Sequence, residues 1–530
     1  MAVSGFNLAA TPEHLLLKLF EQYVSTGHPK HLFLICEALP AVPERALDLI
    51  SKELCGRRDG EFLRGIQIPF LGFSPWTQRL VRENLLEAYS WPLGIVAYWF
   101  REVASGRPGL ITKIGIDTVL DPGSGGGALN KRAQAAMSCK ISAIRIGHER
   151  HPLYQAPKPD CSLIRASVAD ESGNLSMADE GIRGTVLNIA QATKARPNPG
   201  RVIAQVRWIT RDGTLNPREV DVPSPLVDQV VLSPRRHHWQ AGTFEYDPRI
   251  SYRVTQPLAD ELLVDVTSKG GHEFEKVIAR RVLLELIRVL EAKKAPVLVN
   301  LGVGIPAMVS RVAVEEGVSE HVVTVLESGL WGGMALTGRD FGLALSPFAI
   351  SSIPDMFSNF EGGVIDAASL GFLQIDAHGD VNPSLLPDAF YGPGGFPVIA
   401  GGAPRTFFAG SFTAGPSRIA AGPRGITISK DGPIEKFVEK VDAAFFSAKE
   451  AIRYGKDILY ITERAVFRLT RRGLVMEEIA PGVDLERDVL GRMRFEPAVS
   501  RKLKPMDEIL FTENRMGVRT IVERSMGDRV

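Results

Sequence analysis

Apolar residues recur along this chain in two rhythms. One returns every three or four positions, as on a helix that buries a single stripe. The other is a short unbroken apolar run, as in a strand covered on both faces. Their alternation predicts an α/β protein. Thr11-Pro12-Glu13 opens a helix running to about residue 25, with Thr11 able to cap it and Pro12 suited to its first turn. Gly27 stops that helix, and His31-Leu32-Phe33-Leu34-Ile35-Cys36 reads as a buried strand ending at Glu37. The same grammar returns later. Val297-Leu298-Val299-Asn300-Leu301 is a strand, Gly302-Val303-Gly304-Ile305-Pro306 a turn, and residues 307–316 a helix stopped by Gly317. Val322-Val323-Thr324-Val325-Leu326 then forms a strand that ends on Glu327. A Gly–Pro–helix–Gly–strand–Glu series thus occurs twice, from Gly5 to Glu37 and from Gly302 to Glu327. It predicts a remote duplication, with two similar open α/β domains.

At 530 residues the chain is too long for one core. The segment 244–267 holds Pro248 and Pro257 and no helical periodicity, and is the expected linker. It divides an N-terminal domain, 1–243, from a C-terminal domain, 268–530. The second opens with an amphipathic helix. Phe274, Val277, Ile278, Val282, Leu286, Val289 and Leu290 share one face, and Lys and Arg are expected on the solvated side.

Charge narrows the possible partners. Lys plus Arg number 62 against 61 for Asp plus Glu, so neither nucleic acid nor an anionic membrane is expected. The four cysteines, Cys36, Cys55, Cys139 and Cys161, are widely spaced, which fits buried thiols in a reducing compartment. No apolar run is long enough to cross a bilayer, and no basic region precedes the first apolar residues. A cytoplasmic protein is expected.

Four places could carry chemistry. Glu327 closes a buried strand with Gly329, Gly332 and Gly333 opening space beyond it. Ligands of open α/β sheets sit beyond the carboxyl ends of strands, so Glu327 is either a nucleophile or a solvated strand-end carboxylate. Gly302-x-Gly304-x-x-Ala307 follows a strand and opens a helix, which also suits a dinucleotide site with Glu327 as its ribose acid. The glycines from Gly123 to Gly127 exclude regular structure. Gly392-Pro393-Gly394-Gly395 could present backbone amides to an oxyanion, or be a plain tight turn. His237-His238 lacks a third ligand at metal-site spacing, so packing or a place in a substrate loop is expected and no metal is.

Together these residues resemble family I coenzyme A transferases, of the single-chain acetate/3-ketoacid or propionate type that fuses α-like and β-like halves. The first half contributes Gly5-Phe6 with Thr11-Pro12-Glu13, the run from Gly109 to Gly115, Asp121-Pro122 through Gly126-Gly127-Ala128-Leu129-Asn130, and Ala169 to Asn174. The second contributes Asn300 to Pro306, Glu327-Ser328-Gly329, Leu370-Gly371-Phe372-Leu373-Gln374, Gly392 to Phe396, and Tyr460 to Phe467. The resemblance implies that CoA passes reversibly from an acyl-CoA to a small carboxylic acid in a ping-pong reaction. Glu327 would form the covalent glutamyl-CoA thioester, and Gly394 and Gly395 would supply the oxyanion donor. Gly302, Val303, Gly304, Ile305, Pro306, Gly371 and Gln374 would lie near CoA. It further implies no cofactor beyond CoA as substrate, short-chain or 3-oxoacid metabolism, and a homodimer or homotetramer. Two departures stand out. Leu93, in Trp91-Pro92-Leu93, occupies the place of a Gln whose amide serves the oxyanion, which makes Trp91 and Leu93 candidate pocket residues. The short helix and strand that relatives carry before Gly5 are expected to be missing. Leu93 motivates the alternatives of a thioester hydrolase or a C–C lyase on the same scaffold; the glycine turn motivates an NAD(P)-dependent oxidoreductase.

Overall fold

The computed structural model describes residues 1–253, 274–386 and 389–527. Two open sheets organise it. The first is parallel throughout and has seven strands: β1 (Ala2–Val3), β2 (Leu32–Cys36), β3 (Leu63–Gln67), β4 (Glu87–Tyr89), β5 (Cys161–Arg165), β6 (Arg201–Val206) and β7 (Gln229–Leu232), in the order β7-β6-β5-β1-β2-β3-β4. The second has eight: β8 (Val297–Leu301), β9 (Val322–Thr324), β10 (Ala367–Leu370), β11 (Arg405–Ala409), β12 (Asp457–Ile461), β13 (Ala465–Thr470), β14 (Gly473–Ile479) and β15 (Ala498–Pro505). Its order is β9-β8-β10-β11-β12-β13-β14-β15, parallel from β9 to β12.

The duplicated grammar is visible in this topology. In the first sheet β1 leads through α1 (Glu13–Thr26) to its parallel neighbour β2 and Glu37. In the second, β8 leads through a helix at Met308–Glu315 to its parallel neighbour β9 and Glu327. Each pair is flanked by three further parallel strands, β5-β6-β7 and β10-β11-β12. Gly27 ends α1 with φ of 74°, its N–H donating to the Tyr23 carbonyl, as a left-handed stop requires.

Several expectations need correction. β1 lies between β5 and β2, so the strand before Gly5 is present; two residues are too few to show periodicity. Thr11 does not cap α1. Its hydroxyl donates to the Asn7 carbonyl at 2.7 Å, and Pro12 stands at the cap position. The long helix Phe274–Lys293 forms, yet Arg280 and Arg281 are buried in it. Arg280 donates to carbonyls of Thr512 and Asn514, and Arg281 pairs with Glu478 at 2.8 Å. Within the expected linker, Pro248–Ser251 is a short helix with Ile250 buried, and the Arg249 carbonyl accepts from Ser346 N–H at 2.6 Å. Residues 254–267 of that segment lie outside the described residues. Among the described residues, no helix is long and apolar enough to cross a membrane.

Three apolar clusters fill the fold. One belongs to the first half, one to the second, and the largest combines both. In the shared cluster α2 (Leu93–Ala104) and α3 (Val186–Lys194) pack together, and α2 meets α6 (Ile353–Glu361; the intervening helices, Phe274–Lys293 and Met308–Glu315, are α4 and α5). A methyl group at Gly94 would collide with the Phe357 ring, so the glycine permits this close crossing.

Candidate active site

A cavity of about 370 Å³ lies where the halves meet. Its walls come from both: Phe6, Phe70, Phe73 and Leu93 from the first, Asn300, Glu327, Phe341 and Gly394-Gly395 from the second. Glu327 is held there by a tight turn. The Leu326 amide donates to the Leu330 carbonyl at 2.9 Å and the Gly329 amide to the Leu326 carbonyl at 3.0 Å. Gly329 has φ of 112°, and a side chain on it would overlap the Ser351 carbonyl. Asn300, at the end of β8, donates its side-chain amide to the Val325 carbonyl at 2.8 Å, and the Ser328 hydroxyl donates to the Gly342 carbonyl. These bonds fix the backbone on either side of the carboxylate.

Over Glu327 lies the turn Gly392-Pro393-Gly394-Gly395. A methyl group on Gly395 would overlap a Glu327 carboxylate oxygen, so the glycine allows the contact. Burial pushes the Glu327 carboxyl up from the usual 4.5 to about 7, while the Gly395 amide draws it back down. Unlike an ordinary Glu, this carboxyl is therefore not fully ionised at neutral pH. The turn is clamped by the first half. Gly394 N–H donates to the Pro69 carbonyl at 3.0 Å, Leu71 N–H to the Tyr391 carbonyl at 2.7 Å, and Leu93 N–H to the Gly394 carbonyl at 2.8 Å. The Leu93 amide is thus spent on positioning the turn, and its side chain adds apolar wall.

Gly302, Val303 and Gly371 line the same cavity. Val303 is 49% exposed, and the Gly371 and Val303 loops adjoin, with 3.6 Å between the Val303 carbonyl and a methyl placed on Gly371. Gly304, Ile305 and Pro306 continue this loop into the helix at Met308–Glu315, away from the cavity wall. Gln374 is not on the wall. Its amide group donates to Asp442 at 2.7 Å and accepts from Asn382 at 2.8 Å, because the residue opens a short strand, Gln374–Asp376, of a separate small sheet. Trp91 is also off the wall. It is 1% exposed and packs edge-on against Tyr154 with 5.3 Å between ring centres, so it is core. His238 is buried beside Glu180 at 3.2 Å and His237 stacks on His14. Among the described residues, no group of three or more His, Cys, Asp or Glu is placed to hold a metal ion.

Sequence reasoning passed over Phe70, Phe73 and Phe341 as ordinary apolar residues. Their one clue is Pro69-Phe70-Leu71-Gly72-Phe73, two aromatics around a glycine just beyond the carboxyl end of β3.

Known proteins are similar to this chain in sequence and fold. A family model described as coenzyme A transferase matches residues 1–233. The chain is 34% identical to a caffeate CoA-transferase of Acetobacterium woodii, covering 98% of this chain and 96% of that one. It is 32% identical to the acetate CoA-transferase YdiF of Escherichia coli K12, over 98% and 92%. An acyl-CoA transferase (YdiF) structure from E. coli O157:H7, solved as a thioester complex with CoA, superposes with a TM-score of 0.85 at 30% identity, over 97% of this chain and 93% of that one. On its identity to these relatives along almost its whole length, and on the superposition with YdiF, the chain belongs to the coenzyme A transferase family and is a CoA-transferase.

Proposed function

We propose that this enzyme transfers CoA between an acyl-CoA and a carboxylic acid through a thioester on Glu327. The observation that carries this reading is the cavity floor: Glu327 is the sole carboxylate among the described lining residues, and it lies under the Gly395 turn. The Glu327 carboxylate attacks the thioester carbonyl, CoA thiolate leaves, and an acyl-glutamyl anhydride remains. The thiolate then attacks the glutamyl carbonyl, expelling the free carboxylate and leaving glutamyl-CoA. An incoming carboxylate runs both steps backwards. Thioester energy is conserved throughout, so the chemistry calls for no ATP, metal or redox group. The Gly395 amide, already turned to the carboxylate, is placed to hold the negative oxygen of each tetrahedral intermediate. The exposed loop at Val303, with Gly302 and Gly371, is the proposed approach for the pantetheine arm.

Hydrolysis is disfavoured by the same walls. Among the described residues lining the cavity, Glu327 itself is the only group suited to take a proton from water. The family membership disfavours the dinucleotide reading, since the relatives named above are CoA-transferases. Incubation with an acyl-CoA followed by hydroxylamine or borohydride should modify Glu327 and release CoA. Transfer that persists undiminished in Glu327→Ala would sink the mechanism.

A further inference from the structure

We infer, on the basis of the transferase reading above, that the acyl pocket is built for an acid of the arylalkanoate class, with a bulky apolar tail and no charge beyond its reacting carboxylate, rather than for acetate or a dicarboxylate. Four phenylalanines form a connected wall beside Glu327. Phe70 meets Phe73 edge-on with centres 5.3 Å apart, Phe73 meets Phe341 at 6.4 Å, and Phe341 meets Phe6 at 6.3 Å. Three of these rings, Phe70, Phe73 and Phe341, keep part of their surface open although they line an interior cavity. Open aromatic rings on a concave wall favour an apolar occupant, and edge-on ring pairs accept a further ring in the same geometry. Leu93, placed where a side-chain amide was expected, extends the apolar wall.

Charge supplies the second half of the argument. Among the described lining residues none is Lys, Arg or His. Lys436 lies behind the wall, its ammonium 3.8 Å from the Phe372 ring centre with the ring as its partner. A distal carboxylate, as in a succinyl group, would enter without a counter-charge, at a heavy desolvation cost. An acetyl methyl would leave the phenylalanine wall uncovered. Each added methylene that reaches it is worth about fourfold in binding.

The half-reaction tests this directly. Wild-type enzyme is mixed in turn with 3-phenylpropionyl-CoA, acetyl-CoA and succinyl-CoA, and formation of the Glu327–CoA adduct is followed by mass spectrometry. We expect kcat/KM for the aryl thioester to exceed that for acetyl-CoA by about 100-fold, with succinyl-CoA slowest. In Phe73→Ala and Phe341→Ala the aryl-to-acetyl ratio should fall about tenfold. Adduct formation from acetyl-CoA or succinyl-CoA as fast as from the aryl thioester overturns the inference and leaves Glu327 as nucleophile intact. So does an unchanged ratio in both variants. Absence of adduct from all three donors overturns the Glu327 mechanism itself, and this inference with it.

Discussion

Glu327 is pulled in two directions. The cavity that would shield the proposed thioester from water also raises the carboxyl pKa to about 7, and the Gly395 amide offsets only part of that. Two outcomes follow for this residue. First, attack requires the carboxylate, so kcat/KM for the first half-reaction should rise with pH and reach half its plateau near pH 7. A flat profile between pH 5.5 and 8.5 would contradict the shift. Second, the folded carboxyl holds its proton where the unfolded one does not. Below pH 4.5 both states are protonated and burial of the carboxyl carries no ionisation penalty. Between 4.5 and about 7 the unfolded state ionises first, so stability falls as pH rises, and above 7 the full penalty stands. Glu327→Gln removes that ionisation. It should therefore be more stable than the wild type at pH 8, by about 2 kcal/mol once water in the cavity is allowed for, and nearly equal to it at pH 4.5. Denaturant unfolding at the two pH values measures the difference, and an equal offset at both would refute the account.

In the proposed mechanism the deciding element is the turn 392–395, and its glycine can be tested without disturbing the backbone. Gly395 has φ of −81°, ordinary for any residue, and only its missing side chain matters. Gly395→Ala should fold with a melting temperature close to wild type and lose at least about 100-fold in kcat, because its methyl would occupy the place of a Glu327 oxygen. A melting temperature far below wild type would instead show that the turn supports the fold. At this scale the sequence was informative where a rule has a single cause. Gly27 at a helix end, apolar runs at Leu32–Cys36 and Val297–Leu301, and a Glu beyond a strand among glycines could each be read without coordinates. It was uninformative where an apolar residue has two possible fates. Phe73 on the cavity wall and Phe100 in the core look alike as letters, and only tertiary packing separates them. Arg280 and Arg281 failed for the converse reason. Arg281 does meet Glu285 one turn on, but the groups that draw both side chains inward, carbonyls near Asn514 and the Glu478 carboxylate, lie some two hundred positions along the chain, beyond the reach of helical periodicity.

At the scale of the molecule, the two halves depend on each other both for packing and for chemistry. The largest apolar cluster mixes Trp99 and Phe100 of the first half with Phe357 and Phe360 of the second, so neither half can bury its inner face alone. The turn 392–395 belongs to the second half but hangs on the Pro69 carbonyl and the Leu71 and Leu93 amides of the first. A chain cut between residues 253 and 274 should therefore behave asymmetrically. Both pieces, produced together, should copurify and retain transfer activity, since the contacts described above join residues on either side of the cut. The second piece alone still carries Glu327, yet should give no CoA adduct, because its turn 392–395 would have lost the three hydrogen bonds that aim the Gly395 amide. Adding the first piece should restore the adduct. If the second piece alone reacted with acyl-CoA at a rate near that of the whole chain, the first half would be acting only as a pocket wall, and the clamp through Leu93 would have no part in catalysis.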